Sequence, residues 1–372
     1  MEQLQFCAPC LFGIEGVLAD ELRRMGAETV TPQNGRVLFS GDAALLARAN
    51  ICSRYAERIQ LLIGTFRATT FDQLFERTKA LPWERFIRQK DAFPVKGWSL
   101  NSALHSVPDC QSIIKKAVVE RLKSRYGIGW FEETGATVQI QFSILKDDVT
   151  LLIDTSGVGL HKRGYRRNAG GAPIKETLAA AIVDVTRTRF AERVFDPCCG
   201  SGTLLIEAAL AARRVAPGIR RRFAAMDTDW VAPSVWNDER DRARAQQLTD
   251  KSFLALGSDI DPEAVRLTIE NAAKAGVGPL VKATERDLKD FSPDDDGGIV
   301  LCNPPYGERL LDVQTAQQIY RTMGKVFLPK TGWTYAIISP DEQFETHFGR
   351  VADKRRKLYN GMLKCQLYIY YK

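Results

Sequence analysis

The chain has 372 residues, a formal net charge of +7 at pH 7, and 45% apolar residues. This length allows two or three domains, and the composition is that of a folded protein rather than a disordered one. No apolar run approaches the roughly 18 residues of a membrane span, and the first residues lack the basic start and long apolar middle of a signal peptide. These features predict a cytoplasmic protein with no membrane partner.

The first half of the chain is predicted to fold as small α+β units. Residues 1–65 alternate short strands with helices; the first strand is expected at residues 10–13, and Asp42 is expected to cap the second helix. Residues 66–156 repeat this alternation of strands and helices and end in a strand whose apolar run passes through residues 151–153.

The pattern of predicted strands and helices changes after residue 156. Residues 157–171 are rich in Gly and Arg and have no apolar period, which is typical of a linker. From residue 172 to residue 372, strands and helices are expected to alternate strictly, the pattern of a parallel sheet covered on both faces. The predicted fold class is therefore α/β, with a parallel-sheet domain preceded by an α+β region.

Eight cysteines are scattered along the chain, and a protein of this length needs no disulfides, so reduced thiols are expected. Cys7 and Cys10 form a CxxC pair, but no second pair or paired histidines complete a zinc set, so no metal is expected. Cys198 and Cys199 are interpreted as small packed residues of a turn rather than as a nucleophile or redox pair.

Basic residues are concentrated in three clusters, at residues 161–167, 213–222 and 353–357. A run of charge is usually a solvated face, but three clusters in one chain favour a polyanionic partner. The residues expected to contact phosphates are Arg163, Arg166, Arg167, Arg220, Arg221 and Arg222.

Predicted strands after the linker end in polar residues. The first runs into Asp196 and a Gly-x-Gly turn at Gly200 and Gly202, where the backbone can approach a ligand and the next helix presents free N–H groups. This turn fits a nucleotide cofactor or simply close packing. The next strand ends at Asp259, where a nucleotide fold binds ribose hydroxyls, whereas Asp261 is expected to cap the following helix.

Two further strand ends complete the set. Asp287 follows a short strand and is expected near an adenine edge, and the run Asn303-Pro304-Pro305-Tyr306 follows an apolar strand. Prolines fix φ and donate no N–H, so this turn holds an amide side chain and a carbonyl in fixed directions. The long gap between the glycines and Asp259 predicts an insertion at residues 213–250.

The motifs DPCCGSGTLLIEAA, GSDIDPEAV and NPPYGERL, preceded by RGYRRNAGGAPIKETLAAAIV, resemble those of the bacterial THUMP-domain ribosomal RNA guanine-N2 methyltransferases, the RlmL-like group. The resemblance covers nearly the whole chain. It implies a ferredoxin-like segment at 1–65, a THUMP RNA-binding domain at 66–156, the linker at 157–171 and a Rossmann-like methyltransferase domain at 172–372. Larger members carry a second catalytic domain, whose activity is not expected from this chain.

The resemblance also implies a cofactor, S-adenosylmethionine, and a partner, ribosomal RNA or a precursor particle of the large subunit. It places one group of residues around the methionine end of the cofactor, one residue on the ribose and one on the adenine. A further stretch, APIKETLAAAI, is expected to close over the cofactor. The residues around the methionine end are Asp196, Cys198, Gly200 and Gly202. Asp259 is the residue on the ribose and Asp287 the residue on the adenine. Lys175, Glu176 and Thr177 belong to the stretch that closes over the cofactor.

The NPPY turn then has a chemical interpretation. An exocyclic amine is a poor nucleophile, and the amide oxygen of Asn303 and the carbonyl of Pro304 could each accept one of its N–H groups. Pro305 stiffens the turn, and Tyr306 could stack on a base that has left its helix. The expected activity is methylation of the N2 amine of a guanine in 23S ribosomal RNA. Adenine-N6 methylation of RNA or DNA and a non-catalytic RNA-binding assembly factor are the alternatives.

Overall fold

A computed structural model describes residues 3–166, 173–292, 297–306 and 313–371. These residues contain two seven-stranded sheets. No helix in the described ranges is long and apolar enough to cross a membrane.

The first sheet belongs to the N-terminal half, where helices cover it. Its elements, in chain order, are β1 (Leu4–Pro9), α1 (Glu15–Arg24), β2 (Val30–Gln33), β3 (Arg36–Gly41), α2 (Ala43–Cys52), β4 (Gln60–Arg67), α3 (Phe71–Lys79), β5 (Val95–Leu100), α4 (Val107–Tyr126), β6 (Ile140–Leu145) and β7 (Asp148–Asp154). The strand order is β2-β3-β1-β4-β7-β6-β5, and only β5 and β6 pair in parallel.

Two local predictions for this half have different outcomes. The strand expected at residues 10–13 is wrong: β1 lies just before it, and Gly13 adopts a φ of +91°, which an extended strand does not allow. The cap at Asp42 is confirmed, because its side chain accepts a hydrogen bond from the N–H of Leu45 over 2.8 Å.

The N-terminal strands form one continuous sheet rather than two separate ones. Antiparallel pairing of β1 with β4 joins Phe6 to Leu61 and Cys7 to Gln60. The expected boundary between residues 65 and 66 therefore lies within β4. The two small units predicted from the sequence share hydrogen bonds where β4 also pairs with β7.

The second sheet belongs to the C-terminal half. Its elements are α5 (Glu176–Val185), β8 (Arg193–Asp196), α6 (Thr203–Ala212), α7 (Pro233–Ala245), β9 (Leu254–Asp259), α8 (Pro262–Ala275), β10 (Val281–Glu285), β11 (Gly298–Cys302), α9 (Val313–Phe327), β12 (Trp333–Ser339), α10 (Phe344–Phe348), β13 (Lys354–Asn360) and β14 (Leu363–Tyr370). The strand order is β10-β9-β8-β11-β12-β14-β13.

The α/β fold class is confirmed, but strict alternation is wrong at the end of the chain. Strands β8 to β12 pair in parallel, whereas β14 runs antiparallel between β12 and β13. A two-residue connection at Gly361 and Met362 joins β13 to β14 as a hairpin, and Gly361 supplies the positive φ that such a turn needs.

The predicted insertion contains α7, which packs the two halves together. The indole of Trp236 stacks on Phe223 with ring centroids 5.5 Å apart, and Glu239 forms an ion pair with Arg48 of α2. The described part of the expected linker is also packed, since Leu160 and Tyr165 are buried.

The parallel part of the second sheet has a switch point. Strand β8 comes first in the chain, β9 and β10 lie on one side of it, and β11 and β12 lie on the other. In open α/β sheets, ligands bind in the crevice at the carboxyl ends of the strands where the order reverses. The ends of β8, β9 and β11 therefore point to the place to search for a site.

Candidate active site

A cavity of about 530 Å³ opens at this switch point. Its size falls in the range of small-molecule sites. It brings together most of the residues that the sequence singled out: Asp196, Cys198, Gly200, Asp259, Asp287, Asn303, Pro304, Pro305 and Tyr306.

The glycine turn after β8 has two different parts. Gly200 lines the cavity with a φ of +54°, and a β-carbon built there would meet no atom within 4 Å, so the backbone faces open space. Gly202 does not line the cavity, contrary to the prediction. A β-carbon at Gly202 would lie 2.8 Å from the side chain of Thr268 on α8, so this glycine is needed for close packing of α6 on α8.

Asp259 lies at the tip of β9 and is fixed by backbone donors. Its Oδ2 accepts from the N–H of Gly200 over 2.9 Å, and its Oδ1 accepts from the N–H of Asp261 over 3.1 Å. A carboxylate has further lone pairs, so Asp259 can still accept hydrogen bonds from a ligand. Asp261 caps α8 as expected, accepting from the N–H of Glu263 over 2.9 Å.

Asp196 is the most deeply buried acid of the cavity, with 2% of its surface exposed. The N–H of Cys198 donates to its Oδ1 over 3.1 Å. Burial raises the pKa of Asp196 to about 8, because an ionised carboxylate loses its hydration there, and the nearby Asp259 adds to the effect. This acid can therefore change its protonation near neutral pH.

Asp287 has a more exposed place on the cavity wall. It caps the short turn of residues 288–290, and the ammonium of Lys289 lies 3.1 Å from its Oδ2. Hydrogen bonds from Lys289 lower the pKa of Asp287, so this carboxylate stays charged.

Asn303 begins the turn that follows β11. Its side-chain Oδ1 is buried and has no hydrogen-bond partner among the described residues, although it lies beside the cavity. A buried acceptor without a partner costs about 1–3 kcal/mol, which makes it unusual unless a ligand completes it. Pro304 and Pro305 follow directly, and the rigid turn keeps this acceptor in place.

Tyr306 also borders the cavity, but only 7% of its surface is exposed. Its hydroxyl accepts a hydrogen bond from Nδ2 of Asn360, on β13, over 2.6 Å. Stacking of Tyr306 on a base stays a prediction. The sequence analysis missed Asn360, because 54 positions separate the two residues and no motif joins them.

The segment that is expected to close over the cofactor borders the cavity only in part. Pro173 and Ile174 line the cavity, whereas Lys175, Glu176 and Thr177 do not, contrary to the prediction. The physical reason is that these three side chains are committed to other partners in the fold.

Those partners lie mainly in the N-terminal half. Glu57 accepts from Thr177 Oγ1 over 2.5 Å and from the ammonium of Lys175 over 3.1 Å, and Nδ1 of His161 lies 3.0 Å from the same carboxylate. Glu176 turns instead toward Arg166, whose Nη2 lies 2.8 Å from its Oε2. Glu57 was also missed, since its contacts are more than 100 positions away in the chain.

The expected phosphate contacts are not all on the surface. Arg163 was expected to contact phosphates, but it is buried. Only 8% of its surface is exposed, and its guanidinium donates to the carbonyls of Leu160 and Arg54 inside the protein. Arg166 is half-buried against Glu176, and it also donates to Thr203 Oγ1 over 3.3 Å.

The second arginine cluster is divided between the surface and the interior. Arg221 donates to the carbonyls of Leu160 and Val158, and burial lowers its pKa to about 10. Arg220 and Arg222 are exposed, and Arg222 pairs with Asp227. Arg167 lies outside the described residues.

The buried Cys199 of the cavity does not have the character of a nucleophile. Burial raises the pKa of the Cys199 thiol well above its usual range, so it stays protonated, as the packing interpretation expects. All eight cysteines are free thiols. Among the described residues, no group of three His, Cys, Asp or Glu side chains is arranged as a set of metal ligands.

Comparison with known families divides the chain into three matches. An RlmL ferredoxin-like domain matches residues 5–60, a THUMP domain matches residues 68–154, and an RMKL-like methyltransferase domain matches residues 163–369. The resemblance stated from the sequence motifs is thereby confirmed at the level of the family.

Two curated relatives differ in length. The chain is 44% identical to a Bacillus subtilis protein named "Putative RNA methyltransferase YpsC", over 100% of this chain and 97% of the relative. It is 34% identical to the "Ribosomal RNA large subunit methyltransferase K/L" of Syntrophotalea carbinolica, over 98% of this chain. The chain spans about half, 53%, of that second relative.

Two solved structures have the same fold at full length. A Listeria monocytogenes protein described as a predicted N6-adenine-specific DNA methylase is 44% identical, with a TM-score of 0.93, over 100% of this chain and 97% of that one. SMU.472, described as "a putative methyltransferase complexed with SAH", is 39% identical, with a TM-score of 0.94, over 100% and 98% of the two chains. This chain is a member of the RMKL-like methyltransferase family.

Proposed function

We propose that the protein uses S-adenosylmethionine to methylate the N2 amine of a guanine in large-subunit ribosomal RNA. The observation that carries the proposal is the buried, unpartnered Oδ1 of Asn303, which borders the same cavity as Asp196 and Asp259. An acceptor of this kind is suited to an amine donor. The cytoplasmic location expected from the sequence stays part of this proposal.

The residues of the cavity fit the cofactor. Open space beside Gly200 admits a ligand close to the backbone, and Asp259 keeps free lone pairs for hydroxyl groups. Ile174 and Ile260 add apolar wall, which suits an adenine ring. The relative SMU.472, with 39% identity, is described as complexed with SAH, which supports the assignment.

S-adenosylmethionine, when bound, supplies a methyl group on a sulfonium centre, which is open to attack by a nitrogen lone pair. The protein's own part is to prepare that nitrogen. Oδ1 of Asn303 and the carbonyl of Pro304 each accept one N–H of the amine, which orients its lone pair and stabilises the positive charge that develops there. Such acceptors need no strong base, because they act by being fixed in advance. As the new C–N bond forms, the C–S bond of the sulfonium would break, S-adenosylhomocysteine would leave, and the excess proton of the amine would pass to solvent.

The choice of guanine N2 as the target rests on the family resemblance of the sequence motifs, whereas the choice of ribosomal RNA also has support from the relatives. The K/L relative is named for large-subunit ribosomal RNA, and the match to the THUMP domain supports an RNA substrate. A second candidate is adenine-N6 methylation, because the Listeria protein is described as a predicted N6-adenine-specific DNA methylase. The turn at Asn303 suits either exocyclic amine, so the choice needs a product measurement.

The decisive experiment is nucleoside analysis after methyl transfer. Ribosomal RNA from cells lacking this gene, an unmodified large-subunit RNA transcript and duplex DNA are each incubated with the protein and methyl-labelled cofactor, then digested and resolved by mass spectrometry. We expect label in N2-methylguanosine from RNA. Label in N6-methyladenine would replace the proposal with the second candidate.

A matched Asn303→Ala protein serves as the control for contaminating activity. If neither protein labels any substrate while calorimetry still detects the cofactor, the substrate assignment is wrong. If calorimetry also detects no cofactor, the chain is better described as a non-catalytic RNA-binding assembly factor.

A further inference from the structure

A second cavity lies between the two halves of the protein. It has a volume of about 620 Å³ and is lined by residues of α1, α2, α5, α6 and α7 and of the connections that follow these five helices. We call it the basic groove, because seven basic and three acidic side chains line it. It lies at the C-terminal end of α6, whereas Thr203 at the other end borders the active-site cavity. At about 1.5 Å per residue, this ten-residue helix separates the two sites by roughly 15 Å.

Two of the three acids in the basic groove are already paired. Both carboxylate oxygens of Glu239 accept from Arg48, over 2.5 and 2.8 Å. Asp184 pairs with Arg189. These pairs neutralise two of the seven cations, and Glu239 is only 3.9 Å from a third, Arg242.

The third acid, Glu21, is already engaged in hydrogen bonds. Glu21 is buried, it accepts from Ser53 Oγ over 2.7 Å and from the N–H of Arg54 over 2.9 Å, and its burial raises its pKa. The guanidinium of Arg54 instead donates through Nη2 to backbone carbonyls, and its Nη1 is buried without a partner among the described residues. The floor of the groove therefore holds a guanidinium with an N–H group that has no hydrogen-bond partner among the described residues.

The open side of the groove carries two more free cations. Arg24 and Arg214 are exposed, and neither side chain makes a hydrogen bond or ion pair within the described ranges. Lys251 lies near Arg214 and Arg189, and its pKa is lowered by burial and by the charges of these two arginines. Cations held this close repel one another, and a bound anion would relieve that repulsion.

An aromatic ring at the rim indicates which kind of anion fits. Phe190 lines the groove with 69% of its surface exposed, and the guanidinium carbon of Arg189 lies 4.8 Å from its ring centroid. Exposed aromatic rings beside cationic grooves are the usual means of holding single-stranded nucleic acid, because bases stack on them while phosphates meet the cations.

We propose that the basic groove binds phosphate groups, and that the backbone of the substrate RNA supplies them. The inference rests on the proposed function only for the presence of an RNA substrate. Phosphates that meet Arg24 and Arg214 release counterions, so the groove adds affinity that is tolerant of sequence and sensitive to salt. Because the groove lies roughly 15 Å from the active-site cavity along α6, only RNA that extends past the target base reaches it.

The test compares two double variants of the full-length protein. Arg24→Gln with Arg214→Gln removes the two free cations of the groove. Arg23→Gln with Arg244→Gln removes the same charge from exposed positions on α1 and α7 that do not line the groove. Fluorescence anisotropy then measures the affinity for a long unmodified ribosomal RNA fragment at several salt concentrations.

We expect the groove variant to bind the RNA roughly 10- to 50-fold more weakly than wild type at about 0.1 M salt. The slope of log affinity against log salt should fall by about 1.4 to 1.8, since each lost phosphate contact removes about 0.7 to 0.9. The control variant should change both quantities much less. Phe190→Ala should weaken binding by about fivefold or more while leaving the salt slope unchanged.

Inorganic phosphate and pyrophosphate distinguish the two sources of the anion. If they bind to wild type and not to the groove variant while RNA affinity is the same in both, the groove takes free phosphate. Equal RNA affinity, equal salt slopes and no phosphate binding would overturn the proposal. Cofactor calorimetry on the same variants separates this failure from failure of the proposed function, because the groove variant should bind S-adenosylmethionine like wild type.

Discussion

The N–H of Gly200 donates to Oδ2 of Asp259 over 2.9 Å, and this hydrogen bond joins the turn after β8 to the tip of β9. The proposed ribose contact therefore rests on a carboxylate that the fold has already oriented. Asp259→Ala should weaken the binding of S-adenosylmethionine by roughly 1.5–3 kcal/mol, as measured by calorimetry, which is the range for hydrogen bonds to a charged group. Asp261→Ala is the matched control and should mainly cost about 1 kcal/mol of folding stability through the lost helix cap. The opposite pattern of affinities would move the ribose contact to Asp261.

Asn303→Ala should lower turnover by at least ~100-fold, the scale for losing one preorganised partner of a transition state. Cofactor affinity and thermal stability should change little, because Oδ1 of Asn303 has no partner among the described residues to lose. Single-turnover methyl transfer at saturating cofactor measures the chemical step directly. A variant with wild-type turnover would remove Asn303 from the mechanism.

Tyr306 can be tested by separating its ring from its hydroxyl. Tyr306→Phe keeps the ring but leaves Nδ2 of Asn360 buried without its acceptor, which should cost about 1–3 kcal/mol of unfolding free energy with turnover kept within a few fold. Tyr306→Ala should also raise the KM for RNA if the ring stacks on the base. An unchanged KM for RNA in the alanine variant would limit Tyr306 to a structural role.

Asp196 should make stability depend on pH. Its pKa is raised from 3.8 to about 8 on folding, so the folded state holds a proton that the unfolded state releases. Its contribution to stability is fully present below about pH 4 and is lost as the pH rises toward 8. The free energy of unfolding of wild type should therefore fall relative to that of Asp196→Asn across this interval, as urea titrations would measure. A constant difference would show that Asp196 is ionised in the folded protein.

Glu57 should give the opposite dependence. The fold lowers its pKa from 4.5 to about 2, because hydrogen bonds from His161 and Thr177 and the charge of Lys175 outweigh its burial. Its stabilisation is present above pH 4.5 and is lost as the pH falls toward 2. Glu57→Gln should cost about 3 kcal/mol at pH 7, and the deficit should shrink in acid. Equal stability of the two proteins at pH 7 would contradict the role of Glu57 in joining the halves.

The predicted site residues that line the cavity together share a geometric cause. Asp196, Asp259, Asp287 and Asn303 each follow a strand, and the carboxyl ends of parallel strands meet at one edge of a sheet, so their convergence required only the order of elements. The burial of a side chain depends on elements far along the chain. For that reason Arg163 was wrongly expected on the surface.

Contacts across the two halves could not be read from local pattern. Thr177 and Lys175 belong to a motif segment, yet they bind Glu57, which carries no motif of its own. Tyr306 was found through its motif, whereas its anchor Asn360 lies on a hairpin that the expected alternation of strands and helices did not include.

The position of β14 has a consequence for the order in which the protein assembles during synthesis. Strand β13 pairs with the sheet only through β14, among the described strands, and yet β13 carries Asn360, the anchor of Tyr306, and Arg356, which donates to the carbonyl of Gly13 in the N-terminal half. A nascent chain can complete the N-terminal sheet and the parallel strands before residues 363–370 leave the ribosome. It cannot fix β13, or the contacts that Asn360 and Arg356 make, until residues 363–370 are available to pair. The turn that contains Asn303 and Tyr306 thus acquires the support of Asn360 only after β14 has been synthesised and has joined the sheet.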